Sequence, residues 1–552
     1  MDEGGIAQLD AKTQSSASEC SRFLRVPPFP GSKAAAFGSA GVRPGIDEPE
    51  LDRLIERVAE LGVGGAFWGA QPELPQTPYV LVHIRDRAAA NDAASRVPDG
   101  HAVVSTNTLD QPFDPWHLVR GASNAIVDAD DELALIAALA GVPLRPVGEG
   151  PFSNLGGGDR PALREALRPL AVQRFVSPFT GLALDFAEAA ELCGFWRKLI
   201  DANRDISAAI GFAFWKRETV APLLWGGSEV PFASAVHAPK AGDRIAVWKS
   251  RTPADTLARL EQSEAELIEV EDGFIRSAGL GADCVPPLSI IVDRLGIYFD
   301  PGRPSELEQI LQHGRFPAGL LDRARELRRV IVDSGLSKYG AGGPSVRPHS
   351  DGRCTILVPG QVEDDRAVIS GGQGLKNLEL LRRVRADAPE AYIVYKPHPD
   401  VEAGHRKGRI ADGECLALAD EIARTGSISA LLDSVDEVHV NTSLAGFEAL
   451  LREKPVTTYG VPFYAGWGLT RDLGPVPSRR TARRSLDELT AAALLLYPRY
   501  LDPVTKLPCP PEILVNRLSR LDYPRSGALI MLRRLQGQFK RRVAAVREMV
   551  SK

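Results

Sequence analysis

Short apolar runs alternate with longer amphipathic stretches through most of this chain, and few folds accommodate that rhythm. The runs at 79–82, 244–248, 265–270, 355–358 and 391–395 read as strands buried on both faces. Residues 253–263, 304–312, 375–384 and 444–451 carry apolar side chains at helical spacing. Strand–helix–strand alternation predicts an α/β protein with parallel sheets and helices on both faces. In such sheets the chemistry gathers beyond the C-terminal ends of the strands. Four polar stretches fall there: Glu271-Asp272-Gly273, Pro359-Gly360-Gln361, Lys396-Pro397-His398-Pro399 and Asn441-Thr442-Ser443.

Glu271 and Asp272 put an acidic pair at a strand terminus, where Gly273 lets the backbone turn sharply. Taken alone, such a pair equally suits a helix or turn cap. Lys396 and His398, fixed among prolines, suit an anion, although the same residues also make an ordinary surface turn. Thr442 and Ser443 precede the helical run at 444–451, so the free N–H groups and dipole of that helix favour a phosphate there. Carboxylate chemistry beside two anion sites points to a transferase that uses a phosphate-activated donor.

Bulk properties narrow the class. The 552 residues suffice for about three or four Rossmann-sized units. A net charge of −5 gives no sign of nucleic-acid binding. Cys20, Cys193, Cys284, Cys354, Cys415 and Cys509 are scattered, with no Cys-x-x-Cys and no Cys/His cluster. That pattern predicts reduced thiols in a cytoplasmic protein, with neither disulfides nor a metal. Residues 1–22 lack the apolar core of a secretory signal, and no run is long enough for a membrane span. Residues 1–45, rich in Ser, Gly, Ala and Pro, read as a disordered lead-in. At the other end, 525–552 carries eight Lys/Arg against Glu548 alone, interleaved with Ile530, Leu532, Leu535, Phe539, Val543 and Val546. A basic amphipathic helix of this kind suits an anionic membrane surface, or equally a helix packed on the protein.

The chain also repeats itself. Residues 124–152 match 436–463 in pattern: strand, polar cap, apolar helix, strand, then Gly and Pro-Phe. Ser177-Pro178-Phe179-Thr180-Gly181 echoes Asp502-Pro503-Val504-Thr505-Lys506. Residues 50–200 therefore read as a degenerate partial copy, 205–345 as a Rossmann-like half carrying the acidic pair, and 350–520 as a Rossmann-like half that binds the donor. Asp130-Asp131 stands where the later copy has Thr442-Ser443, and the first copy has no Lys-Pro-His-Pro.

Assembled, the chain resembles the bacterial capsular polysaccharide synthesis and export proteins of the KpsC type, which are β-Kdo transferases. The stretches that carry the resemblance are Val270 to Ser277 with Gly279-Leu280-Gly281, Pro286-Pro287-Leu288-Ser289, Leu295-Gly296-Ile297-Tyr298 and Pro301 to Ser305. Later come Lys396-Pro397-His398-Pro399, Asn441 to Leu450 and Gly460-Val461-Pro462-Phe463-Tyr464-Ala465-Gly466-Trp467-Gly468-Leu469-Thr470. The acidic pair with His-Pro is also similar to the motifs of bacterial CMP-sialic acid transferases. The resemblance implies a GT-B fold of two Rossmann-like halves, CMP-Kdo as donor, a lipid-linked Kdo or glycolipid acceptor and no metal or other cofactor. It further implies a β product from a β donor, hence retention through Asp272 as nucleophile, with Glu271 orienting or polarising it. In a single inverting displacement Asp272 would be the base instead. Lys396, His398, Thr442 and Ser443 would hold the CMP phosphate, Gln361 the cytidine or phosphate, Glu448 the ribose and Arg276 the Kdo carboxylate. The expected setting is the cytoplasmic face of the inner membrane, beside the capsule assembly and export machinery. The alternatives are an export or assembly factor without catalysis, or another CMP-sugar transferase.

Overall fold

The apolar runs form strands close to where the sequence puts them. The structure, a computed structural model, describes residues 23–520 apart from 34–35, 111, 157–158, 235–238, 277–284, 338–339, 342–350 and 403–405. Residues 1–22, the basic tail at 525–552 and the Ser277 and Gly279-Leu280-Gly281 portion of the motif lie outside the described residues. Two units emerge. One comprises the chain up to Asp205 with Leu224–Glu229; the other comprises Ile206–Leu223 and everything from Val230 onward.

The second unit holds two sheets. Its first sheet runs, in spatial order, Pro508–Cys509, Arg499–Leu501, Ser289–Asp293, Glu266–Asp272, Arg244–Val247, Ile206–Ile210 and Phe232–Ala233. The strands from Phe232–Ala233 to Glu266–Asp272 are parallel, and the remainder are antiparallel. The chain thus returns from its C-terminal end to complete a sheet begun some 290 residues earlier in sequence, as the partners Ser289 and Tyr500 or Ile206 and Arg244 illustrate on either side. Burial on both faces explains the unbroken apolar runs: Ile245, Ala246 and Val247 are fully buried.

The second sheet is parallel throughout. Its order is Glu421–Ile422, Tyr392–Lys396, Thr355–Pro359, Glu437–Val440, Val456–Thr458 and Arg471–Asp472. Counted along the chain this is 3-2-1-4-5-6, the doubly wound dinucleotide-binding order, whose crevice opens where the order reverses. Here that is between Thr355–Pro359 and Glu437–Val440. An aromatic cluster joins the two sheets. Phe274, just past the acidic pair, stacks on Phe463 with centroids 4.7 Å apart, and Phe447, Tyr298 and Tyr497 surround it.

In the first unit, Ala102–Ser105, Tyr79–His83, Asn124–Asp128 and Leu144–Val147 form a parallel sheet in that spatial order. The central strands of the nucleotide-binding-type sheet have the same relative order. Gln173–Val176 and Ala183–Leu184 form a hairpin, as Arg499–Leu501 and Pro508–Cys509 do in the second unit. Ser177 and Asp502 each accept two backbone N–H groups within their own loop. Both loops close on a residue with left-handed φ, Gly181 at 71° and Lys506 at 62°. Within the expected lead-in at 1–45, the described residues from Phe23 onward are packed. Phe23, Leu24, Val26 and Phe29 are buried, with Phe29 edge-on to Trp196 and Trp225. Gly38–Val42 pairs with Gln173–Val176. A few aromatic anchors fix a segment whose average composition is that of a linker. Among the described residues, no helix is long and apolar enough to cross a membrane.

Gly273 also differs from expectation. Its backbone is not left-handed; it runs against the next strand, where an added Cβ would lie 2.2 Å from Ser289 Oγ and 3.2 Å from the Ser289 carbonyl carbon. The glycine serves close approach, not a turn. Gly273→Ala should therefore cost about 1–3 kcal/mol of stability through overpacking, read from denaturant midpoints. An unchanged midpoint contradicts this packing.

Candidate active site

Asp272 ends the strand Glu266–Asp272, and its carboxylate is gripped from two directions. Lys216 Nζ lies 3.2 Å from Oδ1, and Arg276 Nε donates to Oδ2 at 2.8 Å. Both cations are more deeply buried than the carboxylate: their side chains are 6% and 1% exposed, against 18% for Asp272. Arg276 also donates to the Val285 carbonyl at 2.7 Å. Lys216 comes from the first turn of the helix Phe214–Leu224, and its ammonium sits 3.2 Å from the centroid of the Trp248 ring. Burial pushes its pKa below the usual lysine value, against the opposing pull of the Asp272 and Glu271 charges. Glu271 Oε1 accepts the Asp272 N–H at 3.0 Å, which fixes the strand end.

Lys216 leaves no sign in the sequence. It lies 56 residues before Asp272, in a helix whose Phe-Trp-Lys-Arg start has no motif character. Only the parallel pairing of Ile206–Ile210, Arg244–Val247 and Glu266–Asp272 brings that helix, Trp248 and Asp272 together.

The other candidates cluster at the reversal point of the parallel sheet. Gln361 and Thr442 make a closed pair: the Thr442 N–H donates to Gln361 Oε1 at 2.9 Å and Gln361 Nε2 to Thr442 Oγ1 at 3.1 Å. Asn377 holds the Gln361 backbone at both its N–H and its carbonyl. Ser443 caps the helix Leu444–Leu451, its Oγ accepting from the Ala445 N–H at 3.2 Å. Glu448 lies one turn along and is buried. His398 follows the adjacent strand, and its Nδ1 accepts from the Asp400 N–H at 3.2 Å. Lys396 is turned to a neighbouring loop, donating to the carbonyls of Thr425 at 3.1 Å and Gly426 at 2.9 Å, and burial lowers its pKa.

The long string from Gly460 to Thr470 buttresses this site. Tyr464 Oη donates to the Ser443 carbonyl at 2.5 Å, Phe463 stacks on Phe274, and the Trp467 indole N–H donates to the Phe463 carbonyl. Gly466 has φ of 93° and leaves no room for a Cβ beside Val476. Arg480 ties the string to the first sheet's side, donating to the carbonyls of Pro462 and Ala465 and to the buried carboxylate of Glu308.

The first unit carries different groups at the same places. Asp131, like Ser443, is an N-cap, accepting from the N–H two residues on. Arg85 follows its strand as Gln361 does, and its guanidinium donates to Asp128 and Asp130. His83 Nε2 lies 3.1 Å from Asp131 Oδ2. Burial alone would raise the Asp131 pKa, but the hydrogen bond and charge of His83 outweigh it and hold the carboxyl below its usual value. An amide–hydroxyl clamp is thus replaced by ion pairs.

Comparison with known proteins follows this division. The capsule polysaccharide biosynthesis protein family matches residues 243–345 and 345–500, which hold the strands Arg244–Val247, Glu266–Asp272 and Ser289–Asp293 and the whole parallel sheet of the second unit. The capsule polysaccharide modification protein LipA of Neisseria meningitidis serogroup A is 41% identical over 343 residues, covering 61% of this chain and 48% of LipA. The chain therefore spans about half the length of the curated relatives it matches. Among solved structures, the KpsC β-Kdo 2,7 transferase of Thermosulfurimonas dismutans is 37% identical, with a TM-score of 0.47, covering 57% of this chain and 98% of that one. The KpsC β-Kdo 2,4 transferase of the same organism is 33% identical, with a TM-score of 0.50 and the same coverage. Identity of that order across nearly the whole of the second structure, with the family match over 243–500, makes this chain a member of the KpsC-type capsule polysaccharide synthesis family.

Proposed function

We propose that this chain is a retaining β-Kdo transferase of capsule synthesis, with CMP-Kdo as donor and a lipid-linked Kdo or glycolipid as acceptor. The observation that carries this reading is the Asp272 carboxylate held at a strand end by two buried cations. The two sheets of the second unit would be the halves of a GT-B fold, and the first unit a degenerate copy of the donor half. Asp272 attacks the anomeric carbon, and the sugar–phosphate bond breaks with its electrons going to CMP. The acceptor hydroxyl then displaces Asp272 from the opposite face. Two inversions leave the β configuration in place.

The helix N-terminus at Thr442 and Ser443, with His398 beside it, receives the phosphate whose charge grows as the bond breaks. Gln361 shapes the cytidine or phosphate contact through its pairing with Thr442, and Glu448 takes the ribose. Lys396 acts by fixing the loop at Thr425 and Gly426. Arg276, engaged with Asp272 and the Val285 carbonyl, orients the nucleophile in preference to meeting the Kdo carboxylate. Action on a lipid-linked acceptor places the enzyme at the cytoplasmic face of the inner membrane. CMP release from CMP-Kdo by the purified protein separates this reading from an export or assembly factor, and donor screening by thermal shift separates it from other CMP-sugar transferases.

Asp272→Asn should abolish transfer and leave CMP binding intact, because the carboxylate acts on the sugar and not on the nucleotide; wild-type turnover by that variant would falsify the assignment. His398→Ala and Ser443→Ala should each weaken CMP binding by about 1–3 kcal/mol, the range for hydrogen bonds to a charged group. Calorimetry reads this, and unchanged affinity in both variants moves the phosphate site elsewhere. The ion pairs of Arg85, Asp128 and Asp130 fill the helix N-terminus of the first unit that corresponds to Thr442 and Ser443. Titration should therefore give one CMP per chain. A stoichiometry of two, or loss of binding in an Asp130→Ala/Asp131→Ala variant, contradicts that division of labour.

A further inference from the structure

Resting on the reading of Asp272 as nucleophile, we infer that Lys216 drives the second half of the reaction, stabilising the Asp272 carboxylate as it leaves the sugar. The geometry points to this role. Lys216 Nζ is 3.2 Å from Oδ1 of Asp272, whereas Arg276 holds Oδ2 at 2.8 Å. We assign the bond to carbon to Oδ1, the oxygen that Lys216 faces. A cation beside it acts oppositely on the two displacements. It lowers the basicity of the carboxylate, which weakens attack and improves departure. The interaction is strong here because Lys216 is buried on the Trp248 ring, where solvent screens little.

The charge balance reinforces this direction. In the free enzyme, Lys216 and Arg276 face Asp272 and Glu271, so two cations meet two carboxylates. When Oδ1 forms the C–O bond, the electron pair of the broken sugar–phosphate bond leaves with CMP and Asp272 becomes a neutral ester. Both buried cations then lose the charge of Asp272, which costs free energy. In the second displacement the acceptor oxygen bonds the anomeric carbon, the ester C–O pair returns to Asp272 and the hydroxyl proton passes to solvent water. The ion pair with Lys216 is restored. The same cation thus raises the energy of the covalent intermediate and lowers that of the departing carboxylate. A group serving only to pack the helix against Trp248 would have no reason to favour one displacement over the other.

The test is intact-mass analysis of the full chain during turnover with CMP-Kdo and a Kdo-terminated glycolipid, for wild type, Lys216→Met and Lys216→Arg. Thermal stabilisation by CMP serves as the folding control. Wild type should turn over with little adduct. Lys216→Met should lose about a hundredfold in turnover while most of the enzyme carries a Kdo-sized adduct on Asp272. Lys216→Arg, which keeps the charge, should recover turnover and clear the adduct. If Lys216→Met fails the folding control, Lys216→Gln, which retains a hydrogen-bond donor, is read in its place with the same expectation. Unchanged turnover, or lost turnover with no adduct in the presence of acceptor, overturns the inference. Failure of wild type to form product or to release CMP instead overturns the transferase reading itself, so the two failures are distinguishable.

Discussion

A carboxylate held between two buried cations is the constraint around which the second unit is arranged. Neither Lys216 nor Arg276 could be buried without a counterion, and Asp272 supplies one to both. The three come from separate places: the start of one helix, the end of one strand and the segment leading to the next strand. Their meeting requires the parallel register that sets Ile206–Ile210 beside Arg244–Val247 and Arg244–Val247 beside Glu266–Asp272. It also requires Gly273, since the strand after the acidic pair passes too close to Ser289 for any side chain. Fold and candidate chemistry therefore share the same few residues.

The parallel sheet solves a different problem, that of presenting helix N–H groups at a fixed position. Gln361 clamps Thr442, Tyr464 holds the Ser443 carbonyl, and Phe463 locks onto Phe274 of the other sheet. Two buried carboxylates also gather several cations each. Glu308 receives Arg479 and Arg480. Glu269 receives Lys249 and Arg303, with Arg366 3.8 Å away. The first unit keeps the strand order and the hairpin loop but exchanges the clamp for carboxylates paired with Arg85 and His83.

Much of this was legible in the sequence because backbone rules act locally. Strands and helices emerged near their expected bounds, such as Thr355–Pro359, Tyr392–Lys396 and Leu444–Leu451, since period and burial leave a direct imprint on residue order. Side-chain partnerships were not legible. Lys216 has no local signature, the engagement of Arg276 with Asp272 depends on which way a buried guanidinium turns, and the direction of Lys396 is set by a loop beyond the next strand. The packing of the lead-in from Phe23 onward was not legible because composition averages over a segment, whereas a few buried aromatics such as Phe23 and Phe29 decide whether it packs.

The central claim is that Asp272 forms a covalent bond to the sugar, and its direct consequence is stereochemical. Product made from CMP-Kdo and a Kdo-terminated acceptor can be isolated and the configuration of its new anomeric centre assigned by NMR. A β linkage, with configuration retained from the donor, is the result predicted by two displacements at a carboxylate held by Lys216 and Arg276. An α linkage would mean a single displacement, with Asp272 acting on the acceptor hydroxyl, and would contradict the account.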